Sequence, residues 1–422
     1  MIPKSDFYLI IKDQFKEVES INKLISRSKF KDVLMYSGAA AVVIKGVRRC
    51  GKSTLLMQLI KAKFYNNFLY FNFDDERIIN FQTEDFQTLM EALIEVIGDK
   101  KNLFFDEIQN IKGWELFVNR LLRQGYRIFI TGSNANLLSK ELGTYMTGRH
   151  VDITLYPFSF KEFLIAKDIS LNLSNKFYST TQKAQLVKLF RDYMINGGMP
   201  EAVIFSNEFI LMQIINDILQ KDIINRYNIR KSSELKSITK FIIANSSNMI
   251  TYSSIVNNFK INSQNTIQKY IDYLEETYLI FEVKKFERKI KKFDKNPKKV
   301  YCVDTGIITQ NIPSSIENLG NLLENIVAIQ LKRLNKNIFY YKSLNGREVD
   351  FIIPDDKEIV QVCYELNINN SDREITGIID ATNELKFKNA VILTFDQEKE
   401  IKYKNKKINV KPVWKWLLES GI

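Results

Sequence analysis

The stretch Gly46-Val47-Arg48-Arg49-Cys50-Gly51-Lys52-Ser53-Thr54 decides the fold that we predict for this chain. An apolar run, residues 39–44, precedes it and a second apolar run, residues 55–60, follows it. Its two glycines let backbone amides curve around a triphosphate, while Lys52 can reach the β and γ oxygens and the Ser53 hydroxyl can bind Mg²⁺. A helix that begins near Lys52 adds its positive end. All nine residues are therefore predicted to form a phosphate-binding loop between a strand and a helix.

Two carboxylates end another apolar run, residues 102–107. Asp106, at the end of this predicted strand, can hold Mg²⁺, and Glu107 can polarise an attacking water. An isolated Asp-Glu pair would more simply be a solvated acidic turn. Its position one strand and one helix after the phosphate loop favours the catalytic interpretation.

The run at residues 126–131 predicts a further strand that ends in Gly132, Ser133 and Asn134. Polar groups at the carboxyl edge of a parallel sheet lie where a γ-phosphate would bind, so Ser133 or Asn134 is the expected sensing residue. Strands are also predicted over residues 67–73 and 151–155, and helices over 84–97 and within 13–36. Alternating strands and helices predict an α/β fold with a parallel sheet covered on both faces.

Several segments together resemble a known family. They are residues 46–53, 104–109, 130–135, 148–149 and 155–163. The segments are similar to those of predicted archaeal and bacterial AAA+-type P-loop ATPases that carry a C-terminal restriction-endonuclease-like domain, and the resemblance covers nearly the whole chain. It implies ATP and Mg²⁺ as cofactors, Ser53 and Asp106 as metal ligands, and a catalytic set of Lys52, Asp106, Glu107, Asn134 and Arg149.

Arg149 follows the fourth predicted strand, where the resemblance implies an arginine that acts in trans on the γ-phosphate of a neighbouring subunit. That role requires a homo-oligomer. The alternative is a surface arginine beside His150, the only histidine of the chain.

A chain of 422 residues exceeds one ordinary core, so several domains are expected. We predict a P-loop ATPase core over residues 1–165, a helical lid over 166–230, a winged helix-turn-helix over 231–310 and a restriction-endonuclease-like domain over 311–422. Three dispersed cysteines and one histidine make a zinc site improbable and fit reducing conditions. With no leader pattern and no run of 18 apolar residues, the expectation is a soluble, cytoplasmic protein without membrane contact.

The net charge of +12 suggests a polyanionic partner, although a solvated Lys-rich surface gives the same balance. The predicted wing at residues 284–299 concentrates this charge. Its cations are Lys284, Lys285, Arg288, Lys289, Lys291, Lys292, Lys295, Lys298 and Lys299. They predict phosphate contacts, with double-stranded DNA the favoured partner, and the preceding helix offers polar groups such as Gln264 and Gln268. The alternative is a basic hairpin on a module that packs against protein.

The order of elements from residue 318 onward, αβββαβ, is that of PD-(D/E)XK nucleases. Such enzymes need a helix glutamate, an aspartate on the second strand and Glu-x-Lys on the third. Glu324 and Asp350 match, but Gln361 and Cys363 stand where the glutamate and lysine should be. We therefore expect a nuclease fold retained for binding or assembly, with cleavage unlikely.

The residues favour an ATPase whose nucleotide cycle drives or switches a DNA-binding or partner-binding C-terminal half. One alternative is a regulator that holds ATP and turns it over slowly. Another is an ATP-gated nuclease of a mobile element or defence system.

Overall fold

The structure is a computed structural model that describes residues 1–21, 24–36, 38, 40–133, 148–169, 178–261, 263–287, 296–312, 318–403 and 406–420. Its contacts divide the chain into two compact units. The first comprises residues 1–156 with 276–278, and the second comprises residues 157–275 with 279–422. Each unit contains its own sheets and its own apolar core.

A five-stranded sheet forms the centre of the first unit. Its strands are β1 (Ala41–Lys45), β2 (Leu69–Asn72), β3 (Asn102–Asp106), β4 (Arg127–Gly132) and β5 (His150–Thr154). They lie in the order β2-β3-β4-β1-β5, and every pairing is parallel. The predicted parallel α/β sheet is confirmed, and the carboxyl ends of the adjacent strands β3, β4 and β1 share one edge.

The helices of the first unit bury one apolar face each. They are α1 (Lys4–Ser20), α2 (Phe30–Met35), α3 (Lys52–Leu59), α4 (Asp85–Ile97) and α5 (Trp114–Arg123). α4 shows the helical period clearly, because its buried Phe86, Leu89, Met90 and Leu93 follow the i, i+3, i+4, i+7 spacing. α3 continues into a π-helical segment, Ile60–Phe64.

The N-terminal segment differs from its prediction of one charged helix within residues 13–36. α1 already begins at Lys4, directly after Pro3, and α2 is a separate short helix. Phe7, Ile10 and Ile11 are buried in the core of the first unit. The position of α1 is therefore set by apolar residues that precede the charged stretch on which the prediction was based.

The second unit begins with helices. They are α6 (Phe160–Ala166), α7 (Thr180–Asn196), α8 (Pro200–Phe205) and α9 (Phe209–Asp217), the last continuing as a π-helical segment, Ile218–Ile224, and a short turn, Asn225–Tyr227. Residues 197–199 separate α7 from α8. At Gly197 the backbone φ is +73°, and a Cβ there would lie 2.0 Å from Asp304 Oδ1. Only glycine fits this close approach.

Three helices and a small antiparallel sheet come next. The elements are α10 (Ser232–Ala244), β6 (Met249–Ile250), α11 (Tyr252–Phe259), α12 (Gln264–Glu276), β7 (Ile280–Val283) and β8 (Lys298–Cys302). The strands lie in the order β6-β8-β7. The two-residue β6 adds an edge to β8.

The C-terminal part of the second unit contains a six-stranded mixed sheet and the helices around it. Its elements are α13 (Thr305–Asn311), α14 (Leu319–Arg333), β9 (Phe339–Lys342), β10 (Glu348–Ile353), β11 (Glu358–Val362), α15 (Ser371–Leu385), β12 (Asn389–Thr394), β13 (Lys399–Tyr403), β14 (Lys406–Pro412) and α16 (Val413–Glu419). The strand order is β13-β14-β12-β11-β10-β9. β13, β14 and α16 were not predicted, because lysines interrupt the apolar alternation over residues 399–411.

Among the helices within the described ranges, none is long and apolar enough to cross a membrane.

Candidate functional site

The loop from Gly46 to Gly51 joins β1 to α3 in a conformation that needs both of its glycines. Gly51 has φ +96° and Gly46 has φ +154°. A Cβ at Gly46 would lie 2.1 Å from the Leu155 carbonyl oxygen, a distance that no side chain tolerates. Both positions therefore require glycine: Gly51 for its backbone conformation, and Gly46 because the segment after β5 packs directly against it.

Lys52 opens α3 and is buried in the loop. Its ammonium donates to the carbonyl oxygens of Gly46 at 3.2 Å and Val47 at 3.3 Å. It also lies 3.6 Å from Glu107 Oε1. The predicted phosphate-binding lysine and the predicted catalytic carboxylate are thus side by side, although 55 positions separate them in the chain.

Asp106, the last residue of β3, is buried and surrounded by hydroxyl groups. Ser53 and Thr131 both hydrogen-bond to its carboxylate, and the Tyr70 hydroxyl lies 3.3 Å from Oδ2. Burial and the neighbouring Glu107 charge raise the pKa of Asp106 above its usual range. The two predicted Mg²⁺ ligands, Ser53 and Asp106, are therefore in direct contact.

This donor set fits Mg²⁺. One hydroxyl and one carboxylate are what nucleotide-bound Mg²⁺ takes from a protein, since phosphate oxygens and waters complete its octahedron. Among the described residues there is no group of three or more His, Cys, Asp or Glu side chains that could hold a metal ion by itself. The arrangement thus suits an ion that arrives with a nucleotide.

Glu107 stands one residue beyond β3 in a left-handed backbone conformation, with φ +50°. Its N–H donates to Thr131 Oγ1 at 2.9 Å. Burial would raise the pKa of its carboxyl, but Lys52, Gln109, Arg48 and Ser133 all act in the opposite direction, and the pKa lies below its ordinary value. Glu107 is therefore held ionised, as a base that polarises water must be.

Ser133 follows β4, and its hydroxyl lies 3.4 Å from Glu107 Oε2. Its role as the sensing residue stays a prediction. Asn134, its predicted alternative as sensing residue, lies outside the described residues. Thr131 contacts both Asp106 and the Glu107 backbone, and sequence reasoning missed it. Its position at the end of the strand next to β3 is the signal that could have found it.

The remaining loop residues are divided between interior and surface. Val47 and Cys50 are buried, Arg48 and Arg49 are half-buried, and Thr54 is exposed. Burial raises the pKa of the Cys50 thiol, so this cysteine is a packing residue of the loop. Arg48 acts on the Glu107 carboxylate, which brings it into the site electrostatically.

Arg27 is a site residue that the sequence did not indicate. It is buried, and its guanidinium donates to the carbonyl oxygen of Cys50 at 2.7 Å and to that of Tyr156 at 2.6 Å. It therefore ties the phosphate loop to the segment that follows β5. No local motif marks this arginine, because its two acceptors are backbone groups distant in sequence.

Arg149 lies away from the other predicted catalytic residues. It directly precedes β5, whose first residue pairs with Ala41 at the start of β1. The phosphate loop follows the other end of β1, roughly 13 Å further along the strand. Arg149 is exposed and donates to Asn119 Oδ1 at 2.9 Å. It is outside the site of its own chain, so a catalytic role in trans stays a prediction.

A second cluster of charged groups lies in the second unit. The Lys299 ammonium contacts Glu348 Oε1 at 2.8 Å and both Glu324 Oε1 and Asp350 Oδ1 at 2.9 Å. Burial and the Asp350 charge raise the pKa of Glu324 to about 8. The two residues matched to a nuclease centre, Glu324 and Asp350, are therefore brought together, but around an ammonium that β8 supplies.

This geometry corrects one expectation. Lys299 is only 3% exposed, so its assignment to a phosphate-contacting wing is wrong. Lys298 is also largely covered and pairs with Glu282 at 2.5 Å. Lys284 and Lys285 are half-buried, and the other predicted wing cations lie outside the described residues.

Comparisons with known proteins agree with the first unit's geometry. Residues 39–164 match the AAA domain family, and residues 187–315 and 319–416 match two domains of unknown function, DUF8612 and DUF4143. The chain is 38% identical over 396 residues to the uncharacterized protein MJ1544 of Methanocaldococcus jannaschii, which covers 89% of this chain and 88% of that protein. An uncharacterized protein of Haemophilus influenzae is 36% identical over 352 residues, with 79% and 84% covered.

Among solved structures, a signal transduction ATPase with a tetratricopeptide repeat sensor from Pyrococcus horikoshii is similar over 74% of this chain and 46% of its own, at 16% identity and a TM-score of 0.28.

Proposed function

The chain belongs to a family of AAA-domain proteins with archaeal and bacterial members, and from this premise we propose that it binds and hydrolyses ATP with Mg²⁺. One observation carries the proposal. The adjacent strands β3, β4 and β1 end at one edge of the sheet, where Asp106, Glu107 and Lys52 meet. These are the groups that phosphoryl transfer to water requires.

Each side chain has a defined task in this reaction. The loop amides and Lys52 bind the phosphates and offset the charge that develops on the γ-phosphoryl group. Ser53 and Asp106 would hold Mg²⁺, which would supply charge neutralisation between the β and γ oxygens when bound. Glu107 accepts a hydrogen bond from the attacking water. Thr131 holds Asp106 and Glu107 in position, because its hydroxyl bonds to the Asp106 carboxylate and to the Glu107 backbone.

Replacing Lys52 by alanine tests the proposal. We expect ATP turnover to fall about 100-fold, because one preorganised charge at a transition state has an effect of this size. Lys61, on the π-helical continuation of α3, provides the control: Lys61→Ala removes an equal charge from the same helix outside the loop and should leave turnover unchanged. A Lys52→Ala protein that hydrolyses ATP as fast as the parent would refute the assignment.

We further propose that the nucleotide cycle drives or switches contacts of the C-terminal half with double-stranded DNA. The order of elements over residues 232–302 supports a winged helix, with α12 in the position of a recognition helix. The exposed side chains of α12 are polar: Gln264, Asn265, Gln268, Lys269 and Asp272. Such groups suit contacts to bases and phosphates, but only Lys269 among them is a cation.

Turnover measured with and without double-stranded DNA at low and high salt tests this link. If DNA contacts rest on phosphates, stimulation of turnover by DNA should be present at 50 mM salt and lost at several hundred mM, because affinity falls steeply with counterion release. A Lys269→Glu variant should lose the stimulation while its basal turnover stays unchanged. Absence of any DNA effect at low salt would favour a protein partner of the same surface.

A slow nucleotide switch and an ATP-gated nuclease are the alternative functions. Single-turnover hydrolysis that takes many minutes would favour the switch. The nuclease reading is weakened by Lys299, since its ammonium contacts the three carboxylates that would otherwise gather a metal ion. We also propose a homo-oligomer in which Arg149 reaches the nucleotide of a neighbouring subunit.

A further inference from the structure

Gln109 belongs to the 3₁₀ turn Ile108–Asn110 that directly follows the acidic pair. It is 7% exposed, although polar side chains in surface turns normally point into water. Its amide Nε2 donates to Glu107 Oε2 at 2.5 Å. A buried amide is therefore directed at the carboxylate that ATP hydrolysis would use.

The backbone alone does not orient Glu107. The residue is past the end of β3, and its left-handed φ of +50° is a conformation that a residue with a side chain adopts at a cost. Three groups contact its carboxylate: Lys52 at 3.6 Å, Ser133 at 3.4 Å and Gln109 at 2.5 Å. The Gln109 bond is the shortest, and hydrogen bonds to ionised acceptors are the stronger class. Gln109 is thus the group best able to fix the rotamer.

The other end of the amide supplies independent evidence. Within the part of the chain that the structure describes, the Gln109 Oε1 atom is buried and has no hydrogen-bond partner. In native proteins an unpaired buried acceptor is uncommon and is associated with function. Among the described residues, the amide of Gln109 is therefore held by its Nε2 bond to Glu107.

We propose that Gln109 is a positioning residue for ATP hydrolysis, which sets the Glu107 carboxylate by an amide hydrogen bond. The inference rests on the proposed function, because it assigns Gln109 a role in that reaction. The bond from Gln109 also favours the ionised form of Glu107. The other charged or titratable groups that act on Glu107 are Lys52, Arg48, Asp106 and the Cys50 thiol.

Replacing Gln109 by methionine keeps the volume and removes both polar ends of the amide. We expect kcat to fall about 10- to 100-fold, within the range of an orienting contact to a general base. Affinity for ATP, measured with a fluorescent analogue, should stay within about threefold, since the hydrogen bond that the Gln109 amide makes among the described residues goes to Glu107. A fall in kcat without a matching fall in affinity is the result expected of a positioning residue.

Two matched variants separate positioning from folding. Asn110→Ala alters the exposed neighbour in the same turn and should leave kcat unchanged. Gln109→Glu is isosteric but cannot donate a hydrogen bond when ionised, so it should lower kcat as methionine does while ATP affinity persists. It also provides a second readout if the methionine protein does not fold.

Folded Gln109→Met and Gln109→Glu proteins with the same kcat as the parent would overturn the inference. A loss of ATP affinity equal to the loss of kcat would also overturn it, because that pattern indicates damage to the loop. Failure of the proposed function has a different appearance: the parent protein and Lys52→Ala would turn over ATP equally.

Discussion

Replacing Glu107 by glutamine is expected to lower ATP turnover about 1000-fold, in the middle of the range for loss of a general base. The amide has nearly the volume of the carboxylate and can still accept a hydrogen bond, but it cannot take a proton. Glu107 lies beside Lys52 in the structure, and the net effect of its neighbours keeps its pKa low. ATP affinity should therefore persist while hydrolysis is lost.

Steady-state turnover and equilibrium binding of a fluorescent ATP analogue measure the two quantities separately. Glu76→Gln is the control, because Glu76 is an exposed glutamate in the 3₁₀ turn Glu76–Ile78 of the first unit. Turnover of Glu107→Gln within threefold of the parent would exclude Glu107 as the base. A large loss of affinity instead would mean that the Lys52–Glu107 contact chiefly shapes the phosphate loop.

The nucleotide site was predictable from sequence to the extent that its residues form local motifs. The glycines of the loop and the carboxylates at the end of β3 can each be recognised from the residues beside them in the sequence. The strand order of the sheet then brings the two motifs together. Gln109 and Thr131 lie within segments that the sequence assigns to the site. Their contacts depend on where their side chains point, which the sequence does not give. Arg27 depends on a backbone carbonyl 129 positions away, at Tyr156.

The basic run over residues 284–299 shows why charge along the chain can mislead. In a linear sequence Lys299 is one cation among nine. In the fold its partners come from α14 and β10, 25 and 51 positions later at Glu324 and Asp350. Neither the spacing nor the composition of the run reveals this, because the partners belong to another part of the fold.

Replacing Lys299 by methionine should lower the free energy of unfolding by about 3–5 kcal/mol, the usual cost of breaking a buried ion pair by removing one partner. Methionine fills a similar volume, so the loss would reflect charge. Asp350 and Glu324 are both buried, whereas Glu348 is more exposed and can regain water. Urea unfolding of the second unit, followed by circular dichroism, measures the change.

Lys407→Met is the control, because Lys407 forms an exposed pair with Glu400 on neighbouring strands of the same unit and should cost less than about 1 kcal/mol. Adding Asp350→Asn to Lys299→Met should recover part of the lost stability, since it removes one of the unpaired buried charges. A Lys299→Met protein as stable as the Lys407→Met control would contradict a buried ionic cluster.

The defect should also depend on pH, and its sign follows from Glu324. Burial and Asp350 raise the pKa of Glu324 to about 8, above its ordinary value of 4.5. The folded state therefore binds the proton more tightly than the unfolded state, and the corresponding stability is lost as pH rises toward and through 8. At pH 5 the Glu324 carboxyl is neutral in the folded protein, so removal of the ammonium leaves fewer buried charges. Lys299→Met should accordingly be closer to the parent at pH 5 than at pH 8.5, and an equal difference at the two pH values would show that Glu324 is ionised throughout.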